Sequence, residues 1–287
     1  MKKQNRREFI GTLGAAAATT LFVPKILLAK DKRRTIGIQL YTLRDMLAED
    51  FEGTLDTISR IGYTTVESFG YMEGKFFGNY PGEFKNILHD YGLKHVSTHI
   101  KLSLKDAPEI IDDTLESGAQ YLILPWLPEE DRQSLDDYKK LADELNQIGT
   151  LCQKAGLHFG YHNHAFEFEE MDGMIPYNIL LDNTEPELVC MELDIYWVVR
   201  AGYNPQEYFN RNPGRFKLWH VKDMDESEEM KFAPVGKGII NFQAIYKQKE
   251  KAGLKYSFVE QDNHLNEDPV QNIKDSFRYL SDLPNYG

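Results

Sequence analysis

Short apolar segments alternate with amphipathic segments along the chain from Thr35 onward. Five of the amphipathic segments end at a glycine that an apolar run follows at once, at Gly62, Gly92, Gly118, Gly156 and Gly253. Glycine is favoured just after a helix because a residue without Cβ adopts the left-handed backbone conformation at little cost. The last of these separations, 97 residues, is about three times the earlier ones and leaves room for two further units without the glycine. This order predicts helices that are each followed by a β-strand.

Three more apolar runs, at residues 35–41, 188–195 and 216–221, bring the predicted strands to eight. Between strands, apolar side chains recur every three or four residues, as over residues 51–61 and 135–152, which is typical of amphipathic helices. Eight strand-helix units predict an α/β fold with a parallel sheet, and a closed (β/α)₈ TIM barrel is the simplest solution at this length. A doubly wound open sheet is the alternative, but no glycine-rich phosphate loop follows the first strand.

The first 29 residues depart from this pattern. Arg6 and Arg7 lie in a basic start that precedes an uncharged run, residues 9–23, and this run is shorter than a membrane-spanning helix requires. The layout is typical of an export signal, and residues 6–10 resemble the twin-arginine type. We therefore expect a signal peptide at residues 1–29, a single domain at residues 30–287, and a periplasmic protein that stays tethered to the membrane if the signal is not cleaved. A basic N-terminal tail is the alternative.

Charge and cysteine content narrow the classes of partner. Without residues 1–29 the chain has 28 basic and 44 acidic residues, a net charge of −16. Nucleic-acid binding needs clustered cations, so we expect no nucleic-acid partner, and we expect no stable membrane span. Cys152 and Cys190 each lie in an apolar segment and are expected to be buried thiols rather than a disulfide. The sequence is compatible with a homodimer.

Polar residues cluster where the predicted strands end, which is where TIM barrels carry their active sites. The period-two alternation of strand side chains directs four of them into the barrel: His162, Asp194, His220 and Glu260. Each alone has an ordinary structural explanation, a hydrogen-bonded core histidine or a buried ion pair. Four at adjacent strand ends predict a metal site, and a mixed imidazole and carboxylate set suits Mn²⁺, Zn²⁺, Co²⁺ or Fe²⁺.

The segments around these residues resemble the sugar phosphate isomerase/epimerase branch of the xylose-isomerase-like TIM-barrel superfamily. They are residues 161–168 (YHNHAFEF), 192–197 (ELDIYW) with Ala201-Gly202, 219–223 (WHVKD), 234–238 (PVGKG) and 259–260 (VE). The resemblance implies one divalent metal, with Mn²⁺ preferred, held by Asp194, His220 and Glu260. Ketose epimerases of the family commonly carry a glutamate where His162 aligns. The His-Asn-His sequence is closer to the inosose dehydratases.

The resemblance implies an isomerase or epimerase that acts on a sugar or keto-sugar, and two alternatives remain open: a dehydratase that eliminates water from a keto-sugar or inosose-like substrate, and a non-catalytic sugar-binding barrel. In the enzymatic cases a base removes the proton α to a carbonyl and the metal stabilises the enediolate. The candidate bases are Glu260, Glu192 and His164, and Lys222 is either a proton donor or the partner of Asp223 or Glu192 in an ion pair. The predicted substrate-binding residues are Gln39, Glu67, His99 and Trp126. A metal-dependent phosphodiesterase is disfavoured by the negative charge.

Overall fold

The computed structural model describes residues 35–264, 268–284 and 286 of the chain. These residues belong to one compact unit that begins at Arg34. The signal peptide expected at residues 1–29 lies outside the described residues, so it stays a prediction.

Eight parallel strands form a closed barrel in chain order. They are β1 (Gly37–Gln39), β2 (Thr65–Ser68), β3 (Lys94–His99), β4 (Tyr121–Leu124), β5 (His158–His162), β6 (Val189–Asp194), β7 (Leu218–Val221) and β8 (Tyr256–Val259). The barrel closes where β8 pairs with β1, with Gly37 opposite Phe258. The predicted (β/α)₈ TIM barrel is confirmed, and the alternative of an open doubly wound sheet is wrong.

Helices alternate with the strands around the barrel. Their bounds are α1 (Arg44–Glu49), α2 (Phe51–Ile61), α3 (Pro81–Asp90), α4 (Ala107–Glu116), α5 (Leu135–Ala155), α6 (Pro176–Asn183), α7 (Ile195–Arg200), α8 (Pro205–Arg211), α9 (Phe242–Tyr246), α10 (Lys249–Ala252) and α11 (Pro269–Asp282). The predicted stripes of α2 and α5 are buried, including Leu55, Ile58 and Cys152. Gly62 ends α2 with φ of 118°, a conformation that a side chain would strain. No helix in the described part of the chain is long and apolar enough to cross a membrane.

The barrel interior is divided into an apolar layer and a polar layer. A separate buried cluster contains Cys190, Leu218 and Phe258, each of which lies two residues before a polar residue on the same strand face: Glu192, His220 and Glu260. Apolar side chains thus fill the lower barrel, and the polar side chains lie above them toward the carboxyl ends of the strands. Cys152 and Cys190 are free and buried, as predicted.

Two strand ends differ from their predicted bounds. The first strand stops at Gln39 because residues 40–43 turn into a 3₁₀ helix, whose first turn is stabilised by a hydrogen bond from Tyr41 N to Gln39 Oε1. The sixth strand stops at Asp194, whose carboxylate accepts a hydrogen bond from Trp197 N and caps α7. Ile195 therefore begins a helix rather than ending a strand.

Candidate active site

The parallel register places the predicted ligands at one level of the barrel. Asp194 on β6 is opposite His220 on β7, and Glu192 is opposite Leu218. Asp194 is also fixed from β5, because Asn163 Oδ1 accepts a hydrogen bond from Asp194 N at 3.0 Å. With its other carboxylate oxygen engaged in capping α7, Asp194 Oδ2 is left to face the interior.

We call Asp194, His220 and Glu260 the outer group. Their ligand atoms all lie within 4.8 Å of one another, and the three residues are buried. His220 Nδ1 is 2.5 Å from Glu260 Oε2 and 3.9 Å from Asp194 Oδ2, and all three atoms are buried. Two carboxylate oxygens and one imidazole nitrogen are a donor set that fits a divalent transition metal.

Lys222 is the cation that faces the outer group in the described structure. Its Nζ is 3.0 Å from Asp194 Oδ2, 2.7 Å from Glu260 Oε2 and 3.0 Å from Asp262 Oδ1. Burial alone would lower the pKa of Lys222, but the three carboxylates raise it well above its usual value, so the side chain is an ammonium. The expected alternative partners, Asp223 and Glu192, are not the ones that Lys222 contacts. Asp223 instead accepts backbone N–H groups of the following loop.

We call His99, His162 and Glu192, with Glu67 beside them, the inner group. Glu192 Oε2 is 2.6 Å from His99 Nε2 and 3.4 Å from His162 Nδ1. Glu67 Oε2 is 3.2 Å from His99 Nε2 and accepts a hydrogen bond from Gln39 Nε2 at 2.8 Å. All of these side chains are at least mostly buried, so two carboxylates and two imidazoles share one dry volume.

Burial opposes ionisation in the inner group, and neighbouring charges decide the outcome for each carboxyl. Burial raises the pKa of Glu67, but the positive charges of His99 and His220 outweigh it and lower the pKa to about 2. Burial and the negative charge of Glu67 raise the pKa of Glu192 to about 7. Burial lowers the pKa of His99, but Glu67 and Glu192 outweigh that effect and raise it above its usual value.

His162 and His220 each direct one ring nitrogen toward the outer group and the other toward the inner group. His220 Nδ1 faces the outer carboxylates, and its Nε2 lies 2.5 Å from Glu67 Oε2. His162 Nε2 is 3.7 Å from Asp194 Oδ2, whereas its Nδ1 faces Glu192. By distance His162 clusters with His99, Glu192 and His220 rather than with Asp194 and Glu260. Its predicted role as fourth ligand of the outer ion stays a prediction.

A cavity of about 380 Å³ opens above these groups. Its lining is Tyr41, Phe69, His99, Pro125, Trp126, His162, His164, Lys222, Glu260 and Asp262. The predicted substrate-binding residues His99 and Trp126 reach the cavity, whereas Gln39 and Glu67 are fully buried and do not line it. Of the predicted catalytic residues, Glu260, Lys222 and His164 line the cavity and Glu192 does not.

The sequence-based choice of residues missed Asp262 and Phe69. Asp262 follows Glu260 by two residues, so the same period-two alternation that identified Glu260 could have indicated it. Phe69 carries no comparable signal, because an aromatic residue just after a strand more often packs in the core.

His164 is held as a neutral imidazole at the cavity wall. Burial, followed by the charge of Lys222, lowers its pKa to about 3, and its Nδ1 has no hydrogen-bond partner. Its ring is parallel to that of Phe166, with centroids 5.7 Å apart. The turn that carries it is fixed by Glu167, which accepts hydrogen bonds from His164 N at 2.8 Å and from Tyr161 Oη at 2.6 Å. This turn therefore holds a neutral imidazole ring at the cavity wall.

Comparisons with known proteins agree with this fold. A family described as xylose isomerase-like TIM barrel matches residues 55–283. The inosose dehydratase of Geobacillus kaustophilus is 26% identical over an alignment of 194 positions, and the match covers 59% of this chain and 61% of that protein. The chain thus spans about three fifths of the length of this curated relative.

Two solved structures are similar over nearly the whole barrel. A sugar phosphate isomerase/epimerase from Parabacteroides distasonis has a TM-score of 0.80 and 29% identity, and the match covers 90% of this chain and 97% of that one. The IolI protein, solved with a bound zinc atom, has a TM-score of 0.68 and 14% identity, covering 87% of this chain and 97% of that one. At that identity the second likeness shows the fold alone.

Proposed function

Because the chain belongs to the xylose isomerase-like TIM barrel family, we propose that it is a divalent-metal-dependent dehydratase of a keto-sugar. The enzyme removes the proton on the carbon α to the carbonyl and eliminates the β-hydroxyl as water. The observation that carries this proposal is the outer group: buried ligand atoms of Asp194, His220 and Glu260 lie within 4.8 Å of one another, and Glu260 lines the cavity.

The outer group is where the metal would bind, with Mn²⁺ as the preferred ion. When bound, such an ion supplies positive charge that stabilises the oxyanion developing on the substrate carbonyl. Three protein ligands leave coordination positions open to the cavity, as in catalytic rather than structural sites. A non-catalytic sugar-binding barrel would not need this convergent set of metal-ligand atoms.

Proton transfer is assigned to His164 and Lys222. His164 is a neutral imidazole that lines the cavity and takes the α-proton, whereas Glu260 is already engaged by Lys222. Lys222 is an ammonium and gives a proton to the departing hydroxyl as the β C–O bond breaks. The products are an α,β-unsaturated ketone and water, so the reaction needs no oxidant or reductant. His99 and Trp126 orient the sugar from the cavity wall.

The relatives support a dehydratase first and an isomerase or epimerase second. The Geobacillus kaustophilus relative quoted above and a second relative, from Bacillus cereus, are named inosose dehydratases. Epimerisation shares the same first step, and the Parabacteroides distasonis relative carries an isomerase/epimerase name. Returning the proton to the opposite face requires a second base, and Glu260 and Asp262 both line the cavity. The negative charge of the chain and the lack of a phosphate-binding glycine loop in its sequence favour an unphosphorylated substrate.

Product analysis separates these outcomes. The protein is stripped of metal with a chelator, reloaded with Mn²⁺ and incubated with inosose and with a panel of keto-hexoses. A product lighter than the substrate by one water, formed only after reloading, supports the dehydratase. A product of unchanged mass with an altered NMR spectrum would indicate an isomerase or epimerase instead of a dehydratase. Unchanged substrates throughout would contradict both.

A further inference from the structure

We propose that the inner group is a second divalent-cation site, with His99 Nε2, His162 Nδ1 and the Glu192 carboxylate as its ligands. This site is distinct from the outer group and does not depend on the reaction proposed above. Its nitrogen-rich donor set favours Zn²⁺ or a similar transition metal over Mg²⁺ or Ca²⁺.

The distances between the donor atoms fit a bound ion. Ligand atoms about 2.0–2.2 Å from a tetrahedral zinc lie about 3.3 Å from one another. Glu192 Oε2 is 2.6 Å from His99 Nε2 and 3.4 Å from His162 Nδ1, and all donor atoms of this cluster lie within 4.8 Å. The side chains therefore need only small rotations to coordinate one ion.

Unpartnered polar atoms around this volume are a second, independent observation. His162 Nδ1, Glu192 Oε1 and Glu67 Oε1 are buried and form no hydrogen bond. Buried polar atoms are normally satisfied, and an orphaned one calls for an explanation such as an ion. All three side chains are almost fully excluded from solvent, so water outside the protein does not satisfy these atoms.

The charge balance also favours a cation, because the charged partners of Glu67 and Glu192 among the described residues are histidines. Glu67 and Glu192 are fully buried carboxylates, and a buried charge is stable only when it is paired. The nearby ammonium of Lys222 does not pair with them. It forms its ion pairs with Asp194 and Glu260 of the outer group and with Asp262. A divalent ion between His99, His162 and Glu192 neutralises both inner carboxylates.

Glu67 connects the two sites. It accepts from His220 Nε2 at 2.5 Å, which fixes His220 Nδ1 toward Asp194 and Glu260 in the manner of a carboxylate–histidine–metal arrangement. We therefore assign His220 to the outer ion and Glu67 to the charge balance of the inner one. His99 and His162 line the cavity, so an ion can enter from there.

Metal counting tests the inner site. The protein is stripped with a chelator, saturated with Zn²⁺, freed of excess ion by gel filtration and assayed by elemental analysis. We expect two zinc ions per wild-type chain and one in Glu192→Gln and in His99→Asn. The exposed His89→Asn variant is the matched control and should keep two. One ion in the wild type, or two in both inner variants, would overturn the proposal.

Anomalous diffraction from wild-type crystals soaked in Zn²⁺ needs no variant and covers the case in which the substitutions prevent folding. A peak beside Glu192 in addition to one beside Glu260 supports the inner site. A peak beside Glu260 alone, or a second ion only on the surface, rules it out. Failure of the dehydratase proposal looks different, because the two ions would then be present while every keto-sugar is left unchanged.

Discussion

Lys222 is the residue on which the metal-free site depends for its charge balance. Its ammonium contacts three buried or mostly buried carboxylates, those of Asp194, Glu260 and Asp262. Replacing Lys222 by Met keeps a stem of similar length but leaves these charges unpaired. Removing one partner of a buried ion pair typically costs about 3–5 kcal/mol.

We therefore expect Lys222→Met to lower the free energy of unfolding of the chelator-treated protein by about 3 kcal/mol or more. Mn²⁺ should restore much of that loss, because the ion supplies the missing positive charge, while the catalytic rate stays low for want of the proton donor. Urea unfolding with and without Mn²⁺ measures both effects. Equal stability of variant and wild type in chelator would refute this account of Lys222.

At the scale of single residues, the sequence predicted the direction of a strand side chain better than the atoms that this side chain contacts. Period-two alternation directed His162, Asp194, His220 and Glu260 inward, and the structure brings all four to the barrel interior. The alternation could not show that His162 and His220 each direct one nitrogen to the outer group and one to the inner group, because this depends on the rotation of their side chains. Gln39 and Glu67 were expected at the substrate but are fully buried outside the cavity lining, where Gln39 donates a hydrogen bond to Glu67.

The element with the clearest single anchor is the loop that follows β7. Asp223 is buried and accepts four backbone hydrogen bonds from this loop, donated by Met224, Gly236, Gly238 and Ile240. A Cβ on Gly238 would lie 2.4 Å from Asp223 Oδ1, so the backbone is pressed against the carboxylate. Because Asp223 is next to Lys222, the anchor also holds one edge of the active site.

Asp223→Ala should destabilise the fold by about 3 kcal/mol, since buried N–H groups left without an acceptor cost about 1–3 kcal/mol each and water can reach some of them. Limited proteolysis should then cut within residues 224–240 faster than in the wild type. Glu228→Ala removes an exposed carboxylate from the same loop and is the matched control. If the two variants unfold and are cleaved alike, the carboxylate of Asp223 is not the anchor.

Helix-ending glycines and apolar stripes were sufficient to predict the long helices and the number of strands. The short helices α1 and α7 to α10 have seven residues or fewer, which is too few for a periodic stripe to be recognised. Their starts depend on local caps such as Asp194 for α7 and Asn241 for α9. Strand ends were therefore misplaced by one or two residues at the points where the active site lies.

At the scale of the whole molecule, buried neutral histidines make stability depend on pH. His95 belongs to neither ligand group. It lies next to Ser68 and Ser117, and burial lowers its pKa to about 4 although the charge of Glu67 opposes this. The unfolded chain, with a histidine pKa of about 6.5, binds the proton more readily. The contribution of His95 to stability is therefore fully present above pH 6.5 and is lost as the pH falls toward 4.

Between pH 6.5 and 4 this loss amounts to about 3 kcal/mol, at a limiting slope of about 1.4 kcal/mol per pH unit. His95→Gln should lower stability at neutral pH but show a shallower fall over the same range. Urea unfolding in the presence of chelator measures the difference. The contributions of His162 and His164 to the pH dependence cancel in this comparison because both proteins contain these residues. Parallel pH curves for the two proteins would show that His95 is protonated in the folded state.

The fold class was predictable because the same strand-helix unit recurs along the chain. An error at the end of one element therefore does not change the predicted fold. The chemistry was less predictable, since the number of ions and the identity of the base depend on distances that no pattern encodes. Solvent exchange in D₂O is the most direct test of proton abstraction by a metal-dependent enzyme. We predict that Mn²⁺-loaded protein removes the NMR signal of the proton α to the carbonyl of an inosose or keto-sugar, that chelator abolishes this and that Mn²⁺ restores it. Folded, metal-loaded protein that leaves those α-protons at their spontaneous exchange rate would contradict the account.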